Sequence, residues 1–171
     1  MRWISFACLV YLILAVHLAL TGYINWGKAS PNLVLPVVVF ICVNASREQA
    51  LAGVFSLGLL QDLLSQEPLG MHAFAYGLAG LFVIGMQAAV YRDHWLTHIV
   101  VTLAAGMIVL AVASFNDWAY PRLHHLDSTG PSVVEGFFGV LYTALLSPLV
   151  LLPLVRVKRL FGFRPLRAAR A

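Results

Sequence analysis

Charge is scarce in this chain. Of its 171 residues only 11% are Asp, Glu, Lys or Arg, while 61% are hydrophobic, and the mean hydropathy is +0.86. So little polar surface cannot cover a soluble domain of this size, which makes lipid the solvent to reason about. Linkers are missing as well. No Gly/Ser-rich tract, internal repeat or low-complexity stretch divides the chain, which argues for one compact domain. The only two cysteines, Cys8 and Cys42, both fall in apolar stretches; they read as packed or lipid-facing thiols and leave the redox compartment open. Catalytic signatures are absent too, with no glycine-rich phosphate loop, nucleophile elbow or dinucleotide fingerprint. His94 and His98 stand four apart, but Trp95 occupies the place where a zinc hydrolase carries Glu. His124, His125 and Asp127 in one loop are a weak metal signal. The expectation is a non-enzyme with no catalytic residues, no cofactor and no resident metal.

What the chain does have is long apolar runs. They suggest helices over Trp3–Tyr23, Leu33–Val43, Gln49–Leu64, Met71–Tyr91, Leu96–Phe115 and Val133–Val155. The expected fold is therefore an all-α membrane protein, a bundle of six transmembrane helices over residues 1–155, followed by a basic cytoplasmic tail over 156–171. Four runs approach the ~20 residues needed to cross a ~30 Å core; the second and third are shorter and meet at Asn44-Ala-Ser-Arg-Glu48. Fusing them would carry Arg47 and Glu48 to the membrane centre at a cost of several kcal/mol unless the charges paired, so they are kept separate. Their shortness implies local thinning of the bilayer or burial among longer neighbours. Met1-Arg2 ahead of an apolar run resembles a signal peptide, but no clear small-residue cleavage site follows, which favours a retained anchor.

Cationic loops face the cytoplasm. With six spans and an inner N-terminus, the inside holds Arg2, Arg47, Arg92, Arg156, Lys158, Arg159, Arg164, Arg167 and Arg170, and the outside only Lys28 and Arg122. Both termini are then cytoplasmic. The turn from Asp62 to His72 and the Asn116–Ser132 loop lie outside. Trp26, Trp118 and Tyr120 fall near the outer boundary, and Tyr91 and Trp95 near the inner one, as an aromatic belt requires.

Asp62 sits between two apolar stretches, where a carboxylate costs ~2.5–3.5 kcal/mol unless it finds a partner, a cavity or water. After it, Pro68 cannot continue a helix, Glu67 is pushed toward extended geometry, and Gly70 can take the positive φ of a tight reversal. His72 falls in the first turn of the next helix. A hydrogen bond or ion pair between Asp62 and His72 would fix the outer end of this hairpin. The alternatives are an interfacial acid reaching water, a structural or partner contact, and an ion or solute ligand.

The run Gly58-Leu-Leu-Gln-Asp62-Leu-Leu-Ser-Gln-Glu-Pro68-Leu-Gly70-Met-His72-Ala-Phe-Ala-Tyr76 resembles the central signature of the MreD family of rod-shape-determining membrane subunits. Pro31-Asn-Leu-Val-Leu-Pro-Val-Val-Val-Phe40 is similar to that family's second span, which typically opens with Pro and an acid. Here the acid is replaced by Asn32, which carries no charge but can still cap a helix. The resemblance implies a fold similar to the six-helix substrate-binding subunits of energy-coupling-factor transporters. It also implies a scaffold without known catalysis that binds MreC and, directly or through it, belongs with MreB filaments, the RodA glycosyltransferase and a class B penicillin-binding transpeptidase in lateral peptidoglycan synthesis. It marks Asp62, Pro68, Gly70 and His72 as partner-binding or structural residues. The alternative is a solute-binding subunit of an energy-coupling-factor-type transporter.

Small residues suggest helix packing. Gly136, Gly139, Thr143 and Ser147 recur along the last span and Ala73, Gly77 and Gly80 along the fourth, either against helices of this chain or against a partner's helix. Ala15 and Ala19 make a weaker pair. Glu135, with Ser132, suits a capping box, or else joins Asp62 and His72 around one external cavity. Pro148 and Pro153 should kink the last span. The tail cations Arg156, Lys158, Arg159, Arg164, Arg167 and Arg170, beside Leu160, Phe161 and Phe163, suit an anionic lipid surface at ~1 kcal/mol per charge, or a cytoplasmic partner. Nothing in this short segment suits nucleic acid.

Overall fold

The computed structural model describes residues 3–21, 31–65, 69–86, 95–124 and 133–157. Among them every regular element is a helix: α1 (Trp3–Thr21), α2 (Val34–Asn44), α3 (Arg47–Leu64), α4 (Met71–Gly85), α5 (Trp95–His124) and α6 (Val133–Val157). Among the described residues two segments are long and apolar enough to cross a membrane, Leu96–Ala119 in α5 and Val133–Leu151 in α6. Three shorter apolar stretches, Phe6–Ala19, Val34–Asn44 and Met71–Gly85, come from α1, α2 and α4. The outer faces carry large exposed apolar side chains on α1, α3, α4, α5 and α6, among them Tyr11, Phe55, Phe74, Phe115 and Leu149. That much exposed apolar surface suits lipid, not water.

Helix α2 explains its own shortness. Every residue from Val34 to Cys42 is buried, and α2 touches all five other helices. A helix apolar all round is stable only when it is surrounded. Its eleven residues, ~16 Å of rise, make a pillar inside the bundle. Burial among neighbours accommodates it. The reversal into α3 takes only Ala45 and Ser46, so the two helices stay separate, and α3 begins at Arg47 with Arg47 and Glu48 exposed in its first turn.

The expected boundaries need one larger correction. Helix α5 does not stop at Phe115 but runs to His124, so residues 116–124 are helix and not the start of an external loop. Hydropathy falls at Asn116 and Asp117, yet leaving hydrocarbon does not end a helix whose backbone bonds are internal. Phe115 and Trp118, one turn apart, remain ring neighbours at 6.0 Å on this extension. Helix α6 likewise continues to Val157 and includes Arg156 in its last turn. Helix α4 is described only as far as Gly85, with Met86 at its C-cap, and the expected residues 87–91 lie outside the described chain.

Helices α5 and α6 pack antiparallel. A Cβ on Gly106 would meet Val140, and one on Gly136 would meet Leu110. Gly139, Thr143 and Ser147 are all buried, so the small-residue face of α6 is used within the bundle. Gly80 is buried against Cys42 and Val54, whereas a Cβ on Gly77 would meet open space. The fourth-span stripe therefore splits between inside and outside.

Pro148 lies inside α6 and leaves the carbonyl of Ala144 without its usual amide donor. The neighbouring hydroxyl of Ser147 donates to that carbonyl at 2.7 Å. Ser147 is fully buried, so Ser147→Ala is expected to cost about 1–2 kcal/mol, read as a fall of a few degrees in melting temperature in detergent.

Candidate functional site

The C-terminal end of α3 and the N-terminal end of α4 converge on Asp62. A helix begins with four amides that lack intrahelical partners, and those of α4 belong to Gly70, Met71, His72 and Ala73. Gly70 takes the N-cap place with φ +96° and has no side chain to do the capping. Asp62, reaching across from α3, does it instead. Its Oδ2 accepts the amides of Gly70 at 2.9 Å and Ala73 at 3.2 Å, and its Oδ1 accepts the amide of His72 at 2.9 Å. Three of the four unpartnered donors thus end on one carboxylate, which also faces the positive end of the α4 dipole.

His72 adds a fourth contact. Its Nδ1 lies 2.9 Å from Asp62 Oδ1, which requires the proton on Nδ1 when the carboxylate is ionised. The two residues do meet across the hairpin. Asp62 is only 2% exposed, and its charge is accommodated by these bonds without reaching water. Pro68 and Glu67 lie outside the described residues.

Close approach of the two helices makes this reach possible. A Cβ on Gly58 would stand 2.5 Å from Ala73 Cα, 2.7 Å from its amide nitrogen and 2.8 Å from the His72 carbonyl oxygen. The backbones touch there, one turn before Asp62. Gly58 is part of the run quoted above, but its spacing from Ala73 gave no sign of contact.

A second polar network adjoins the first. Tyr76, 0% exposed, sets its ring edge-on to His72 at 5.7 Å and donates its hydroxyl to Gln61 Oε1 at 2.8 Å. Asn32 Nδ2 donates to the same tyrosine oxygen at 2.7 Å. Asn32 Oδ1 accepts the amide of Val34 at 3.0 Å, capping α2, and the Asn32 amide donates to Thr143 Oγ1 at 2.8 Å. The Thr143 hydroxyl in turn donates to the Gly139 carbonyl oxygen at 2.8 Å. The entry to α2 is thereby tied to α3, α4 and α6. An ionised acid at position 32 could keep the cap but could not donate to Tyr76. Tyr76→Phe would strand Gln61 Oε1 and Asn32 Nδ2, a loss of about 1–3 kcal/mol that a thermal melt would register.

Glu135 sits in the first turn of α6, where a carboxylate suits the helix dipole; Ser132 lies outside the described residues. The oxygens of Asp62 are taken up by the start of α4 and by His72. His124 is the last residue of α5, and His125 and Asp127 are not described. Among the described residues no group of three His, Cys, Asp or Glu stands ready to hold a metal. Of the tail cations only Arg156 is described, exposed at the end of α6.

The family model for MreD, rod shape-determining protein MreD, matches residues 1–155. The chain belongs to the MreD family. Membership makes this a membrane protein with a role in rod-shape determination. Comparison with curated proteins and with solved structures gave no significant match. The match spans all six helices up to Val155, so the Asp62 cap and the Asn32 network both lie within the part of the chain that defines the family resemblance.

Proposed function

We propose that the chain is a non-catalytic scaffold subunit of the cell-elongation machinery, which binds MreC and helps to organise lateral peptidoglycan synthesis. The MreD match over residues 1–155 carries this reading. Its scaffold is a six-span bundle similar to energy-coupling-factor substrate subunits, with both termini cytoplasmic, the 62–72 hairpin at the outer face and the basic tail from Arg156 onward against anionic lipid. MreB, RodA and a class B transpeptidase join directly or through MreC. The locked hairpin supports a binding role, because a surface fixed by four bonds to one carboxylate loses little entropy when a partner docks. Asp62, Gly70 and His72, with Pro68, are then residues that shape the docking end.

The polar groups at the outer end are spent on one another, and the groove between α1 and α3 is lined almost wholly by apolar side chains. A solute site needs a few polar groups aimed into its cavity, so this arrangement favours the scaffold over the transport subunit. Affinity purification from a bacterial membrane tests the choice. MreC in the eluate is the expected result; a small molecule or an ATPase module in its place would establish the transport reading, and neither MreC nor a rod-shape protein in the eluate would refute the scaffold.

A further inference from the structure

Thr102 of α5 is 0% exposed, yet its Oγ1 makes no hydrogen bond with any described residue. A threonine inside a helix has an easy partner in the carbonyl four residues back, and Thr143 uses it, donating to Gly139. Thr102 does not. It lies within Leu96–Ala119, the membrane-length part of α5, where a hydroxyl that forgoes every bond is costly.

The register of α5 against α6 shows what this hydroxyl faces. Gly106 lies against Val140, and Leu110 against Gly136; one further turn of the same antiparallel pairing sets Thr102 opposite Ala144. Ala144 is buried, and its carbonyl is the one that Pro148 deprives of an amide donor. Ser147, also buried, gives its proton to that carbonyl at 2.7 Å. The carbonyl oxygen keeps a second lone pair, and Ser147 Oγ keeps its own. Side chains lean toward the N-terminus of their helix, which carries the Thr102 hydroxyl along α6 in the direction that the Ala144 carbonyl points. A donor without a partner on α5 thus looks onto acceptors with spare capacity on α6, and no direct bond joins them.

We propose that the α5–α6 crossing holds one water molecule, which accepts the proton of Thr102 and donates to the Ala144 carbonyl oxygen and to Ser147 Oγ. Water is the ligand with the matching chemistry, since it is uncharged and supplies both the acceptor and the two donors that the three groups call for. A buried water makes about three hydrogen bonds. Proline is tolerated in a membrane helix where hydroxyl side chains and ordered water satisfy the carbonyl it frees. Here α6 opens its own ladder at Pro148, and α5 helps to close it through Thr102.

The full chain in lipid bilayers, with its threonine methyl groups isotopically labelled, tests this by solid-state NMR, read as the rate at which magnetisation passes from water to each methyl. Thr143 is the reference, because it is as deeply buried and its hydroxyl is engaged with Gly139 and with the Asn32 amide. Transfer to Thr102 should be several-fold faster than transfer to Thr143, and equal rates overturn the proposal. Thermal melts give a second reading. Thr102→Val keeps the shape of the side chain and removes the hydroxyl, so it should lower the melting temperature, and its effect should be less than additive with that of Ser147→Ala because both break one cluster. A melting temperature raised by Thr102→Val, the mark of a hydroxyl that bonds to nothing, overturns the proposal, and so does a loss that adds in full to that of Ser147→Ala.

Discussion

Asp62→Ala is expected to unfold the α3–α4 hairpin at temperatures where the parent bundle is intact. The substitution removes the acceptor for the amides of Gly70, His72 and Ala73 together. A buried donor left without a partner costs about 1–3 kcal/mol. Gly70 and His72 are half-buried and Ala73 is fully buried, so water can reach the first two and the sum should fall near the low end, about 3 kcal/mol. For a chain of this size that is a fall of about 6–12 °C in melting temperature, measurable on purified protein in detergent. Asp62→Asn should lie close behind. Asparagine offers one carbonyl oxygen where the carboxylate offers two, and it turns an amide donor toward donors. In cells, both variants should reach the membrane at reduced level and fail to restore rod shape. Full stability together with lost shape would instead make Asp62 a direct partner contact.

Gly58→Ala is expected to be nearly as damaging, through a different cause. The added methyl would lie 2.5–2.8 Å from three backbone atoms of His72 and Ala73, and backbone in a helix cannot turn aside as a side-chain tip can. Relief requires the two helices to move apart, and overpacking of this kind costs about 1–3 kcal/mol. Separation would also lengthen the reach of Asp62 to α4, so Gly58→Ala and Asp62→Ala should be less than additive when combined, because both act on one hairpin. Gly77→Ala is the control. It lies mid-helix with open space around its Cα, so alanine should stabilise α4 by up to about 1 kcal/mol through helix propensity alone. Two glycines of adjoining helices thus predict shifts of opposite sign. Equal shifts for the pair would mean that the close backbone crossing is wrong.

Local features of this architecture were legible in the residues, and long-range ones were not. Asp62 between apolar runs, followed by Pro68, Gly70 and His72, marks a hairpin with an acid near its tip, and the acid does meet His72. Its main role, however, is to cap α4 through backbone amides, which carry no residue identity and so leave no trace in composition. The network of Asn32 with Tyr76 and Thr143 joins positions 44 and 111 residues apart, a separation over which helical periodicity carries no information. The end of α5 was misplaced because polarity at Asn116 and Asp117 reports where hydrocarbon stops, not where the helix does. The small residues of α6 were recognisable as a packing face, whereas the outward aspect of Gly77 depends on how α4 is rotated.

The most direct test of the cap is to compare His72→Ala with Asp62→Ala in the same thermal melt. His72 contributes one side-chain contact to a carboxylate that also receives three backbone amides. The cap therefore predicts that His72→Ala loses about 1 kcal/mol, a minor part of the loss from Asp62→Ala. Equal losses from the two substitutions would show that the ion pair, and not the capping of α4, holds this end of the bundle.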